Sequence, residues 1–155
     1  MFDLAVYSKH LQRSTLIEMY RRSCSIPAGS EEDSILEAMC HSSFKLLSVV
    51  RPHEEGGLVA RDLFQQEDLW LMDEALEQSA EEDTALAARL FRPGEFWMTT
   101  GVVIPLDRIL ILDLMREFPA PANNRSVLEG RNPRFVESVY KLAISAGAME
   151  RVALR

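Results

Sequence analysis

The chain has 155 residues, of which 47% are hydrophobic and 26% charged, with a formal net charge of −7. This composition is typical of a globular domain and excludes collagen-like, mucin-like and tail-like disordered chains. A chain of this length buries about 70% of its unfolded surface, so one core can form without disulfides or a structural metal. We therefore expect a single domain over residues 1–155.

Residues 1–43 are predicted to be helical. Apolar residues recur at helical spacing in two stripes, which are Leu4, Tyr7 and Leu11, and then Ile17, Tyr20 and Cys24. Residues 26–29 interrupt the pattern, and Ser30 followed by Asp33 is a cap for a further helix. The first part of the chain should therefore pack as short amphipathic helices.

Residues 44–105 change to the apolar period near two that is typical of strands. Five short runs are separated by turn signals: 44–51, 58–64, 69–72, 84–91 and 96–104. The clearest turn is 92–95, where Pro93 fixes φ and Gly94 permits a positive φ. The pattern predicts an α+β fold in which a small five-stranded antiparallel β-barrel, SH3-like or OB-like, is flanked by helices.

The acidic residues are concentrated in the middle of the chain. Residues 67–83 contain eight acidic side chains and no Lys or Arg, so the rest of the chain is close to neutral. Trp70, Met72 and Leu76 lie among these carboxylates and are predicted as apolar anchors of a protein-binding surface. The alternative is an ordinary solvated strand and short helix.

Residues 106–155 return to helical spacing. Asp107 is predicted to cap a helix that is apolar nearly all round and stops before Pro119. Asn132 and Pro133 begin a last helix, whose stripe is Val136, Val139, Tyr140 and Ala143. A helix that is apolar all round must be buried in the fold or against a second copy, so we expect self-association.

Residues 44–106 resemble an uncharacterised bacterial β-barrel domain family that often sits beside SEC-C zinc-binding motifs. The cues are Phe44 leading into Val49 and Val50, then Arg61, Asp62 and Leu63, Arg89, Gly94 and Gly101. Relatives with the SEC-C motif end in a Cys-rich tail, whereas no cysteine follows Cys40 here. The resemblance therefore implies a barrel without zinc and supplies no reaction.

Asp62 and Arg89 are predicted to form an ion pair. Both lie in apolar strand contexts, where an unpaired charge is costly to desolvate. We expect a structural clamp across the barrel wall. In the functional alternative, Asp62 is a base or ligand and Arg89 anchors an anion.

Metal and thiol chemistry find little support in the sequence. The soft ligands do not occur in pairs at the spacing of known zinc sites; they are His10, Cys24, Cys40, His41 and His53. We expect no metal, no cofactor and no catalytic residue, although a Cys–His pair assembled through space stays open. An enzymatic hypothesis is also kept, and it rests on Asp62, Arg89 and His53.

Two cysteines are too few for a disulfide scaffold, and the first residues lack a signal-peptide pattern. The longest apolar runs, 102–106 and 109–112, are far shorter than the ~20 residues that cross a bilayer. We therefore predict a cytoplasmic protein with no membrane association.

The leading functional hypothesis is a non-catalytic module for protein interaction or assembly. Its predicted surface consists of Trp70, Met72, Leu76, Arg92, Phe96 and Trp97. The alternative is a nucleic-acid-binding barrel, in which Arg89, Arg92, Phe96 and Trp97 contact a single strand. The excess of acidic over basic residues disfavours the alternative, because nucleic-acid binding depends on clustered Lys and Arg side chains.

Overall fold

The computed structural model describes residues 2–7, 14–118 and 124–147. The helices are α1 (Phe2–Tyr7), α2 (Leu16–Ser23), α3 (Glu31–Cys40), α4 (Glu74–Ser79), α5 (Arg108–Glu117), α6 (Arg125–Leu128) and α7 (Pro133–Ser145). The strands are β1 (Ser43–Pro52), β2 (Leu58–Asp62), β3 (Asp68–Met72), β4 (Ala85–Phe91) and β5 (Trp97–Leu106). The fold is α+β, as predicted.

The helices begin where local caps satisfy their first backbone N–H groups. The Ser30 hydroxyl accepts from the Asp33 backbone N–H, Asp107 accepts from Leu110, and Asn132 accepts from Phe135. The three predicted caps are therefore confirmed. In the N-terminal stripes, Ile17 is buried but Tyr20 is exposed, and Leu11 and His10 lie outside the described residues.

The five strands form one mixed sheet that closes on itself in the order β1-β2-β3-β5-β4. The pairs β2–β3 and β4–β5 are antiparallel, in agreement with the predicted antiparallel barrel, but β3 and β5 run parallel. The prediction of a purely antiparallel barrel is therefore wrong. The reason is geometric, because an odd number of strands in a closed ring cannot alternate in direction all the way round.

Apolar side chains pack on both sides of this sheet. The interior cluster fills the ring and consists of Leu47, Val49, Leu58, Ala60, Leu69, Leu71, Leu86, Ala88 and Leu90. The helix-side cluster joins the outer face of β1, β4 and β5 to α5, α6 and α7, and its largest buried residues are Phe44, Leu46, Ile104, Leu114, Phe135 and Tyr140. Neither β2 nor β3 contributes a buried residue to the helix-side cluster. The helices therefore cover one side of the ring.

Helix α5 is only partly buried. Leu110 and Leu114 pack in the helix-side cluster, whereas Ile109 is 70% exposed and Leu112 is 49% exposed. The apolar side chains on the outer face of α5 thus have solvent around them. None of the described helices is both long enough and apolar enough to span a membrane.

Candidate functional site

The outer face of β3 and β5 carries a patch that we call the outer strip: His53, Trp70, Met72, Phe96 and Met98. Strand alternation places it there, because Leu69 and Leu71 of the same strand point into the interior cluster. Met72 and Met98 are register partners in the parallel pair. The strip therefore lies on the side of the ring that the helices leave open.

The aromatic part of the outer strip is held in a fixed geometry. The His53 ring stacks on Trp70, with centroids 4.2 Å apart and planes 10° apart. Phe96 meets Trp70 edge to face, with centroids 5.6 Å apart. The indole Nε1–H donates to the Gly56 carbonyl oxygen at 2.8 Å. Because the polar edge of Trp70 is already bonded, the half-buried rings present a preformed apolar surface.

Gly57 allows the loop between β1 and β2 to approach this surface. It has φ of +75°, and a Cβ there would lie 2.4 Å from the Leu71 carbonyl oxygen and 3.0 Å from Met72 Sδ. A side chain at this position would push the loop away from β3. The glycine therefore helps to seat His53 and Gly56 against Trp70.

Exposed carboxylates adjoin the residues of the outer strip in the sequence. Glu54 and Glu55 follow His53, Glu95 precedes Phe96, and Glu74 lies two residues after Met72. None of these four has an ion-pair partner in the described part of the chain. The rim of the apolar patch is therefore acidic.

The predicted interaction surface is only partly assembled. Trp70, Met72 and Phe96 belong to the outer strip, but Leu76 and Trp97 pack against the interior cluster. Arg92 lies over the Trp97 ring at 5.9 Å and donates to the carbonyl oxygens of Gly94 and Glu95. The sequence predicted His53 only as a member of the enzymatic hypothesis and did not predict Met98, although the position of Met98 beside Trp97 in an alternating run was an available signal.

A buried ion pair lies in the ring interior next to Trp97, whose ring centre is 5.6 Å from Lys45 Nζ, and it differs from the predicted pair. Lys45 Nζ lies 2.5 Å from Asp62 Oδ2 and 3.0 Å from Gln65 Oε1, and the two charged side chains are only 6% and 2% exposed. Asp62 Oδ1 accepts from the backbone N–H groups of Phe64 and Gln65. Both oxygens of this carboxylate are therefore engaged inside the fold.

The prediction that Arg89 pairs with Asp62 is wrong. Leu86, Ala88 and Leu90 of β4 face the interior, so Arg89 must face outward, on the opposite side of the wall from Asp62. Its guanidinium lies 4.7 Å from the Tyr7 ring and 5.8 Å from the Phe44 ring. Arg89 thus joins α1 to the ring, and the clamp across the interior uses Lys45 instead.

Arg89 also lines a cavity of about 440 Å³ between the ring and the N-terminal helices. Cys40 and His41 lie in its wall, but His41 Nδ1 bonds the Glu37 carbonyl oxygen and burial raises the pKa of the Cys40 thiol.

Asp62, Arg89 and His53 occupy the interior, this cavity and the outer strip respectively. The three residues of the enzymatic hypothesis therefore do not converge. Across residues 2–7, 14–118 and 124–147, no group of three His, Cys, Asp or Glu side chains is placed to hold a metal ion.

We expect Cys40 to alkylate slowly, because the raised pKa leaves less of the reactive thiolate at a given pH. The measurement is the rate of iodoacetamide reaction against pH in Cys24→Ser, which leaves Cys40 as the remaining cysteine. The rate should rise at a higher pH than for the same chain unfolded in urea. A folded-state curve at or below the unfolded one would contradict this prediction.

Comparison with known proteins gives one finding. Residues 1–152 match the model of a family described as a family of unknown function (DUF7986). The chain matches no curated protein and no solved structure.

Proposed function

The chain belongs to this family of unknown function, DUF7986, and we propose from its geometry that it is a non-catalytic protein-interaction module. The observation that carries the proposal is the outer strip, an apolar patch next to exposed carboxylates on the side of the ring that α5, α6 and α7 do not cover. Interfaces commonly combine aromatic and methionine side chains at the centre with a polar rim. We propose that a protein partner docks on this strip.

The sheet topology supports the choice of surface. We infer that the ring is an OB-like barrel rather than an SH3-like one, because α4 lies between β3 and β4 and the strand order is β1-β2-β3-β5-β4. OB-folds bind ligands on the face of strands 2 and 3 and on the loops that join strands 1 to 2 and 4 to 5. Here Trp70 lies on that face, His53 lies in the first loop and Phe96 in the second.

The same topology also favours a second candidate, which is single-stranded nucleic acid stacked on Trp70 and Phe96. The four rim carboxylates, which lack ion-pair partners, oppose it, because they repel phosphates.

Further proposals follow from the sequence. The free thiols Cys24 and Cys40 are consistent with a reducing cytoplasm. Kinship with the bacterial domains beside SEC-C motifs stays a prediction.

The test compares two variants that each remove two exposed or half-exposed apolar side chains. Met72→Ser with Met98→Ser alters the outer strip, and Leu16→Ser with Met19→Ser alters the exposed face of α2 as a matched control. Tagged proteins are incubated with extract of the cells that produce the chain, and captured proteins are quantified by mass spectrometry after nuclease treatment. We expect the strip variant to capture about tenfold less of a partner protein than wild type does. The control variant should capture the same amount as wild type.

Equal capture by wild type and both variants would remove the outer strip as the docking surface. Capture that disappears with nuclease would favour the nucleic-acid candidate. Light scattering of the wild-type protein tests the self-association that the sequence predicts. A monomer mass at every concentration would exclude self-association through the exposed face of α5.

A further inference from the structure

We infer that the partner segment recognised by the outer strip is basic and inserts at least one apolar side chain, an inference that rests on the proposed function. The strip supplies the apolar half of this recognition. Its rings and methionines are half-buried or exposed, and Met98, which pairs with Met72 across the β3–β5 contact, is 37% exposed. A polar segment alone would leave this surface uncovered.

The charges around the strip supply the other half. Glu54, Glu55, Glu74 and Glu95 are exposed, lie within two residues of strip residues in the sequence, and lack ion-pair partners among the residues described. The acidic run continues past Glu74 through α4, where no Lys or Arg occurs up to residue 83. Potentials of one sign around an apolar centre favour a partner of the opposite sign and repel one of the same sign.

The arginines near the strip do not reverse this bias. Arg61 is tied to Asp68 through two hydrogen bonds of 2.7 and 3.2 Å. Arg92 is bonded to carbonyl oxygens of its own hairpin, and Arg51 donates to the Pro52 carbonyl oxygen. The unpaired carboxylates at the rim thus outnumber the nearby arginines that lack a carboxylate partner.

Such an arrangement assigns separate roles to the two parts of the site. The apolar centre gives affinity that salt changes little, because it depends on water release. The acidic rim speeds association and selects the sign of charge, and screening by salt weakens it. A basic segment without an apolar residue should therefore bind weakly, and an acidic segment with one should be rejected.

The experiment uses defined peptides and the full-length chain. Fluorescence anisotropy measures binding of three labelled peptides: alternating Lys and Leu, alternating Lys and Ser, and alternating Glu and Leu. We expect the Lys–Leu peptide to bind at least about tenfold more tightly than either control. A labelled single-stranded oligonucleotide is the fourth probe.

Two sets of variants separate this inference from the proposed function. Glu54→Gln, Glu55→Gln and Glu95→Gln together should weaken binding of the Lys–Leu peptide about fivefold and flatten the salt dependence of that binding, since all three side chains are exposed carboxylates next to the strip in sequence. The matched control, Glu31→Gln with Glu32→Gln and Glu37→Gln, removes the same charge from α3 and should change binding little. Met72→Ser with Met98→Ser should weaken the binding of every peptide that binds the wild-type protein.

The outcomes are distinguishable. If the Glu–Leu peptide binds as well as Lys–Leu and Met72→Ser with Met98→Ser abolishes both, the strip is a docking surface but the basic partner is wrong. Equal binding of Lys–Leu and Lys–Ser overturns the apolar anchor. If no peptide binds while the oligonucleotide binds in a salt-sensitive way, both the inference and the protein-interaction proposal fail.

Discussion

Asp62→Ala is expected to lower the free energy of unfolding by about 3–5 kcal/mol, the cost of leaving a buried charge without its partner. The substitution leaves the Lys45 ammonium, which is 6% exposed, without a carboxylate; its remaining neighbours are the Gln65 amide oxygen and the Trp97 ring, 5.6 Å away. It also removes the acceptor of the Phe64 and Gln65 backbone N–H groups. Urea unfolding followed by circular dichroism measures the loss.

The matched control is Asp68→Ala, which breaks the exposed pair with Arg61. Its side chains are 47% and 46% exposed, so we expect a loss below about 1 kcal/mol. A rescue variant tests the mechanism. In Lys45→Met with Asp62→Asn, the amide oxygen still serves the two backbone groups, the amide N–H can donate to Gln65, and no charge is buried. This double variant should recover most of the stability.

An Asp62→Ala protein within about 1 kcal/mol of wild type would show that the pair contributes little to holding the ring closed. Failure of the rescue variant would point to packing around residue 45 instead of charge. In a domain whose total stability is about 5–15 kcal/mol, the expected loss is a large fraction. The pair is therefore expected to be one of the larger single contributions to the stability of the fold.

The sequence signals that succeeded are local. Helix starts were predictable because a cap bonds backbone groups three residues away, as Ser30, Asp107 and Asn132 do. Strand limits were predictable because Gly and Pro mark turns, and the predicted 84–91 run became β4 (Ala85–Phe91). The α+β class and the two hairpins follow from such signals.

The failures involve contacts between distant strands. Apart from Arg89, β4 is apolar at every position, so its sequence does not reveal which face a given residue occupies. Lys45 is flanked by apolar residues on β1, and nothing local marks it as the partner of Asp62. The parallel β3–β5 pair depends on how the chain crosses the ring, which no turn signal reports.

The candidate site shows the same division. Trp70, Met72 and Phe96 could be predicted because aromatic and methionine residues among carboxylates are typical of interfaces. The inward positions of Leu76 and Trp97 depend on the Leu71–Trp97 register and on the docking of α4. The contribution of His53 depends on how a loop folds back over β3. These features follow from tertiary structure alone.

The second large effect is expected at Gly130, between α6 and α7. Its φ is +64°, and its carbonyl oxygen accepts from the Phe44 backbone N–H at 3.0 Å, which ties the C-terminal helices to the start of β1. A Cβ at this position would lie 2.2 Å from the Phe44 carbonyl oxygen and 2.6 Å from its nitrogen. Both atoms are backbone, so neither can turn aside.

Gly130→Ala should therefore lower the free energy of unfolding by about 2–5 kcal/mol. About 1–2 kcal/mol of this comes from the left-handed backbone conformation, and the rest comes from moving α6 away from β1. Gly29→Ala is the control, because Gly29 has φ of +77° but a Cβ there would meet no atom within 4 Å. The Gly29→Ala variant has the backbone strain but no steric clash, so its free energy of unfolding should fall by about 1–2 kcal/mol. Urea unfolding of both variants gives the difference. Equal losses would mean that Gly130 is needed for its conformation only, whereas a larger loss at Gly130 would show that close contact with Phe44 holds the helices on the ring.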